Sequence, residues 1–453
     1  MRFRLISIIF ILMMFAVASS AEVAVTVYNQ DLALIKDQRA LEFKKGAFEL
    51  SLTDVPDRID PTSVHFKLMD NPEKVALLEQ NYRYDLVDFN KILEKYLDRE
   101  IEMVDEKGEM FSGKLLAHNR GAVTLMKPSG GLQVLMTDKL SRYSFPSLPE
   151  GLITKPTLVW LLDSDLAGKH EAEVSYLTKG MNWHAEYVGV VSEDETDLSL
   201  AGWVSIENNS GATYPEAKLK LVAGDVNIIE DKREFLMAAY EADYGRAAKA
   251  APGFEEKAFF EYHLYTLPRA TTIADNEIKQ ISLFEPAVTL VKKIYLFEGN
   301  RSQGDIKVSM EFVNSKSNGL GMPLPAGKVR IMKRDSDGAM EFVGEDLIDH
   351  TPRDEKIDLY LGNAFDLVGE RKVIDSRRVS KQVQEEDIEI SLKNRKEAEA
   401  VTILVREKLY ARDWEIQSSN FEYQRPDANT IEFKVPVEAG QEVVVKYTVR
   451  RVR

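Results

Sequence analysis

Val23, Val25 and Val27 alternate with smaller or polar residues, and a period of two in apolar residues returns along nearly the whole chain after them. Successive side chains of a strand point to opposite faces, so this alternation demands half-buried sheets rather than helices. Phe48, Leu50 and Leu52 repeat it, as do Ile388-Glu389-Ile390-Ser391-Leu392 and Ile431-Glu432-Phe433-Lys434-Val435. From Thr157 to Val226 the runs are divided by Asp163-Ser164-Asp165, Glu193-Asp194-Glu195-Thr196-Asp197 and Asn208-Asn209-Ser210-Gly211. Turns at this regular spacing favour sandwiches. The expected fold is mainly β: several β-sandwich (Ig-like) modules with a small helix-plus-barrel (Sm/SH3-like) insertion.

The insertion is where the period changes. Leu86, Val87, Phe89, Ile92, Leu93, Tyr96 and Leu97 recur at helical spacing behind Asp85, a candidate N-cap. Short strands are expected after it at Glu100 to Val104, Glu109 to Leu116, Gly121 to Met126 and Gly131 to Met136. One helix followed by about five short strands suggests a small barrel. Such barrels include RNA binders, but a fold does not carry a function with it.

The segments follow from these patterns: 1–21 a signal peptide, 22–80 an N-terminal β layer, 81–147 the helix and small barrel, and 148–229 a β-sandwich. Residues 230–260 read as an Ala-rich flexible insert, 261–370 as a second sandwich region, and 371–453 as a C-terminal Ig-like module. The insert is assigned from Ala247-Ala248-Lys249-Ala250-Ala251-Pro252-Gly253, which lacks strand periodicity.

Arg2 and Arg4, the apolar run Leu5 to Phe15, and then small residues make the three-part pattern of a secretory signal. Cleavage is expected after Ala18 or Ala21. The competing reading, an uncleaved anchor, needs an apolar run of roughly 20 residues, and this one is shorter. No later stretch has the length and apolarity of a spanning helix, so no membrane span is expected after cleavage. Soluble periplasm is the expected location, with full secretion as the alternative. With 0 Cys, thiol catalysis and cysteine-held metals are excluded, and stability must come from buried apolar area. The net charge of −15 argues against nucleic acid or an anionic lipid surface as partner.

One region carries a resemblance. Ser175-Tyr176-Leu177-Thr178-Lys179-Gly180-Met181-Asn182-Trp183-His184-Ala185-Glu186-Tyr187 is followed by Gly202-Trp203-Val204-Ser205-Ile206-Glu207-Asn208-Asn209-Ser210-Gly211 and by Lys218 to Asn227. With Phe259 to Leu267 and Tyr360 to Leu367, these stretches resemble the domain-of-unknown-function 4139 family, itself distantly similar to mucoidy-inhibitor-like proteins. The likeness runs from about Val23 to Val449. It implies an exported, β-rich protein and brings no catalytic residues with it. The mucoidy name hints at surface polysaccharide.

Candidate chemistry is sparse. There is no Gly-x-Ser-x-Gly elbow, His-Glu-x-x-His helix, phosphate-binding Gly-rich loop or complete calcium loop. The six histidines, His65, His118, His170, His184, His263 and His350, have no pair at metal spacing, and no metal or other cofactor is expected. His184 and Glu186 lie two apart on a predicted strand, so they share a face and can act as base and orienter, or simply form a surface ion pair. Asp335-Ser336-Asp337-Gly338 and Glu193 to Asp197 can offer oxygens to calcium, but both stand where turns are expected, and the turn reading is preferred. Of the four tryptophans, Trp160 and Trp203 are expected in the core, and Trp183, beside Asn182 and His184, at a surface site. The binding candidates are therefore Trp183, His184 and Glu186, with no catalytic residue assigned. The function these observations favour is a non-catalytic binding or scaffold protein for a protein or glycan of the cell envelope. The alternative is a hydrolase with its site near His184 and Glu186.

Overall fold

The strand Thr157–Ser164 shows why this chain folds as it does. Its run Leu158-Val159-Trp160-Leu161-Leu162 is apolar without alternation, which fits a strand covered on both faces. It lies between Gly46–Thr53 and Val75–Arg83, antiparallel to each, and the Trp160 ring packs 5.2 Å from Phe66. The computed structural model describes residues 22–119, 121–224, 226–227, 254–259 and 261–452. The signal peptide and most of the Ala-rich segment lie outside the described residues.

The described chain is mainly β. Its strands form five sheets of eight, five, three, five and nine strands, with one short α-helix. The eight-stranded sheet joins distant sequence: Glu22–Tyr28 pairs antiparallel with Ala33–Phe43 and parallel with Tyr214–Ala223. The five-stranded central sheet runs in the order Glu277–Leu290, Asp197–Asn208, Met181–Val191, Gly327–Arg334, Met340–Ile348. Its Met181–Val191 strand is antiparallel to Asp197–Asn208 and parallel to Gly327–Arg334. Parallel neighbours cannot be joined by a tight turn, so these pairings bring together segments far apart in the chain.

One apolar core collects residues from Val25 to Leu359, so the 22–80 layer, the 148–229 segment and part of the 261–370 region share an interior. A second core belongs to the nine-stranded sheet, from Tyr295 to Val449. The 261–370 region divides its strands between the two. Lys356–Arg378 crosses from one to the other, burying Ile357 and Leu359 in the first and Leu367 in the second. The end of the expected Ala-rich insert is ordered: Glu255–Phe259 is a strand that pairs with Tyr262–Thr266.

A third core lies inside the insertion, built from Leu93, Tyr96, Ile101, Met103, Leu115, Val123 and Leu125. The helix is shorter than its periodicity suggests. It spans Phe89–Lys95, and Asp88, not Asp85, caps it by accepting the Asn90 N–H at 2.9 Å. Residues 84–87 are not helical: Leu86 is bridged to Ile153, and the Val87 N–H is donated to the Ile153 carbonyl. Five strands follow in the spatial order Leu140–Ser144, Glu100–Asp105, Met110–His118, Ala122–Met126, Leu132–Met136. The first of these in space, Leu140–Ser144, has no clear alternation in the sequence.

Candidate functional site

The candidate residues sit on Met181–Val191, the middle strand of the central sheet. Gly180 opens this strand at a φ of 84°, and a Cβ there would come within 2.6 Å of the Asn209 carbonyl oxygen. Only glycine accepts both the left-handed backbone and the close approach. From that turn the alternation is strict: Met181, Trp183, Ala185 and Tyr187 face inward, and Asn182, His184 and Glu186 face outward.

Trp183 therefore does not stand at the surface as its polar neighbours suggested. It is 2% exposed, its ring lies 6.2 Å from Tyr265, and its indole N–H donates to the Val222 carbonyl at 3.1 Å. The parity of the strand decides this, because the residue two before Ala185 must share its inward face. Trp203 takes the opposite place. It is half-buried on the outer face, in register across from Glu186, where the sequence pattern had suggested core.

His184 and Glu186 do share a face. The His184 side chain is 52% exposed, with Nε2 3.5 Å from Glu186 Oε1. The other carboxylate oxygen receives the Gln280 Nε2 donor at 3.3 Å and lies 3.5 Å from Arg330 Nη1. Gln280 also donates to Ser205 Oγ at 3.1 Å. Arg330 reaches Glu345 at 3.3 Å, and Lys328 reaches the same carboxylate at 3.3 Å. A ladder of polar groups thus crosses the sheet, taking at least one side chain from each of its five strands. Partners of this kind hold register, each contributing roughly 0.2–1 kcal/mol.

Glu186 has its oxygens engaged by an imidazole, an amide and a guanidinium, and Trp203 offers an aromatic surface alongside. Among the described residues, no group of three or more His, Cys, Asp or Glu could hold a metal ion. An open hollow lies elsewhere, lined by residues 416–423 of the nine-stranded sheet.

The other sequence candidates fall into structural roles. Asp335 closes the hairpin between Gly327–Arg334 and Met340–Ile348, donating its N–H to the Ala339 carbonyl, and Asp337 accepts the Ala339 N–H. In the acidic turn, Asp194 accepts from Ser192 Oγ at 2.6 Å, and hydrogen bonds from Ser192 and Thr196 hold its carboxyl below the usual range. Glu195 is taken up by Lys293 and Lys333. His263 Nδ1 lies 2.8 Å from Glu256 across the Glu255–Phe259 hairpin, and His350 contacts Asn29 and the Ala326 N–H. Trp160 donates to Gln80 and Trp414 to the Ala428 carbonyl; the Arg425 guanidinium lies 3.9 Å over the Trp414 ring.

Sequence reasoning missed Gln280, Arg330, Glu345 and the placement of Trp203. These residues come from strands far apart in sequence, and no local spacing announces their meeting. When the chain is compared with known proteins, no family model matches it and no curated protein matches it.

Proposed function

We propose that this chain is an exported protein of the cell envelope, related to the domain-of-unknown-function 4139 family, that binds a partner through the outer face of its central sheet. Periplasm is the proposed location, with secretion as the alternative. The observation that carries the reading is the ladder itself: Gln280, His184, Glu186, Arg330, Lys328 and Glu345 are spread over a face that solvent reaches, with the half-buried Trp203 among them and Ser205 buried beneath Gln280. A spread of donors and acceptors on open sheet suits an extended ligand better than a single reacting bond.

A glycan fits this chemistry. The apolar face of a sugar ring packs on an aromatic surface, and its hydroxyls bond to carboxylate, amide and guanidinium groups. A protein partner is the second reading, favoured by the exposed Phe342 and Leu347 on the adjoining edge strand. Hydrolysis has one observation behind it, the 3.5 Å approach of His184 to Glu186.

The test is binding of the mature protein on a glycan array and capture from an envelope extract. Trp203→Ala and Arg330→Ala should each weaken the interaction on the order of tenfold or more while the protein stays folded. Recovery of no partner by either route, or binding unchanged in both variants, would overturn the reading. Product release from envelope glycan that disappears in Glu186→Gln would instead favour the hydrolase.

A further inference from the structure

Exposed sheet edges invite pairing with another strand, and proteins block them with charge, proline or brevity. Among the described residues, the strands at the two ends of each sheet order carry a charged residue in every case but one; Thr271–Ile273, which pairs only with Tyr214–Ala223 beside that order, is uncharged as well but just three residues long. Glu255–Phe259 has two glutamates and a lysine, His65–Leu68 has Lys67, Gly46–Thr53 has Glu49, and Val75–Arg83 has Glu79. Glu277–Leu290, Met340–Ile348, Asp413–Ser419, Tyr423–Asp427 and Leu140–Ser144 are likewise charged. The exception is Leu132–Met136, which reads Leu-Gln-Val-Leu-Met.

The geometry of that strand is specific. The Lys127 N–H donates to the Gly131 carbonyl, and the Thr137 N–H to the Gly121 carbonyl. With Thr124 opposite Val134 in the same register, Gln133 and Leu135 turn their backbone groups toward Ala122–Met126. Leu132, Val134 and Met136 turn theirs to the free edge. The same three side chains are 68%, 61% and 54% exposed, beside Met126 on the outer face.

We propose that this edge pairs with the same edge of a second copy of the chain. The strand is self-complementary about Val134: an antiparallel partner places Val134 against Val134, and Leu132 against Met136 on both sides. Each of these pairs can exchange two backbone hydrogen bonds, and the apolar stripe on the outer face becomes continuous. A two-fold interface requires this self-match, with one patch meeting itself. Head-to-tail pairing with the other end of the sheet is disfavoured, because Leu140–Ser144 presents Ser141 and Arg142 outward.

The test exploits a chain with 0 Cys. In the proposed pair the two Val134 Cα atoms lie about 5.5 Å apart, within the span of a disulfide. Val134→Cys should therefore form a cross-linked dimer of the full mature protein on mild oxidation at low concentration. Val379→Cys, 54% exposed on a distant hairpin, serves as control and should not. By sedimentation, the wild type should dimerise, and Val134→Lys should raise the dissociation constant about tenfold or more with an unchanged far-ultraviolet circular dichroism spectrum. A wild type that stays monomeric at all concentrations would overturn the proposal. So would cross-linking no greater at position 134 than at 379, or capture of a foreign strand in place of self-association.

Discussion

Glu407 is a fully buried carboxylate in the second core, and its partners explain how it is tolerated there. Arg371 Nε lies 3.0 and 3.1 Å from its two oxygens, and Tyr447 Oη donates at 2.7 Å. Burial pushes the Glu407 carboxyl above its usual range, with Arg371 and Tyr447 opposing. Removing the guanidinium by Arg371→Met would strand a buried charge, a loss of about 3–5 kcal/mol measurable by urea denaturation. A carboxyl raised in the folded state contributes stability that is full below the unfolded value and lost as pH rises through the folded one. The Arg371→Met defect should therefore be smaller at about pH 5 than at about pH 7. Gly299 seals the same network: a Cβ there would fall 1.5 Å from Glu407 Oε1, so Gly299→Ala must displace the carboxylate. Asn208 is another buried anchor. It donates to the carbonyls of Ala212 and Ala274 and accepts from Ser210. Asn208→Ala should lose about 2–4 kcal/mol, because the groups it bonds are left buried without partners.

Among the elements, the Phe89–Lys95 helix depends on its cap, since so short a helix has little propensity to draw on. Asp88→Ala should cost about 1 kcal/mol and speed amide exchange along residues 90–95. The acidic turn between Met181–Val191 and Asp197–Asn208 has a different task. Its Glu195 joins Lys333 of the central sheet to Lys293, the second residue of the Lys292–Glu298 strand of the nine-stranded sheet, and Glu399 lies 3.7 Å from Lys293. Burial raises the Glu195 carboxyl, but hydrogen bonds from both lysines outweigh it and hold the group below its usual value. Its contribution is present above the unfolded value and lost as pH falls through the folded one. Exchange at Lys292–Glu298 should therefore accelerate on acidification below about pH 4, and Glu195→Gln should remove most of that pH dependence. Acid thus acts in opposite senses on the Glu195 junction and on Glu407.

The whole molecule is organised around three cores, two of which share the long Lys356–Arg378 strand while the third belongs to the insertion. The insertion leaves and returns at one place, where Leu86 bridges Ile153, so its ends are about 5 Å apart. Replacing residues 88–148 with a short Gly-Ser linker should leave the main thermal transition nearly unchanged. A large fall in that transition would mean that the insertion supports the first core. The same deletion should abolish the self-association proposed for the Leu132–Met136 edge, while leaving partner binding at the central sheet intact.

The mainly β character, the helix-then-strands insertion and the shared face of His184 and Glu186 were legible in the sequence, because alternation is a property of neighbouring residues. Partnership was not. Val25 meets Leu219, Tyr187 meets Val329, and Phe297 meets Val405 in parallel register, through contacts that no local period encodes. Strand parity, anchored at the Gly180 turn, sends Trp183 inward. The pairing of Asp197–Asn208 against the next strand sets Trp203 opposite Glu186 on the outer face. Sequence determined which residues alternate; only the assembled sheets decided which side of each strand meets solvent, because a face becomes a core only when another layer covers it.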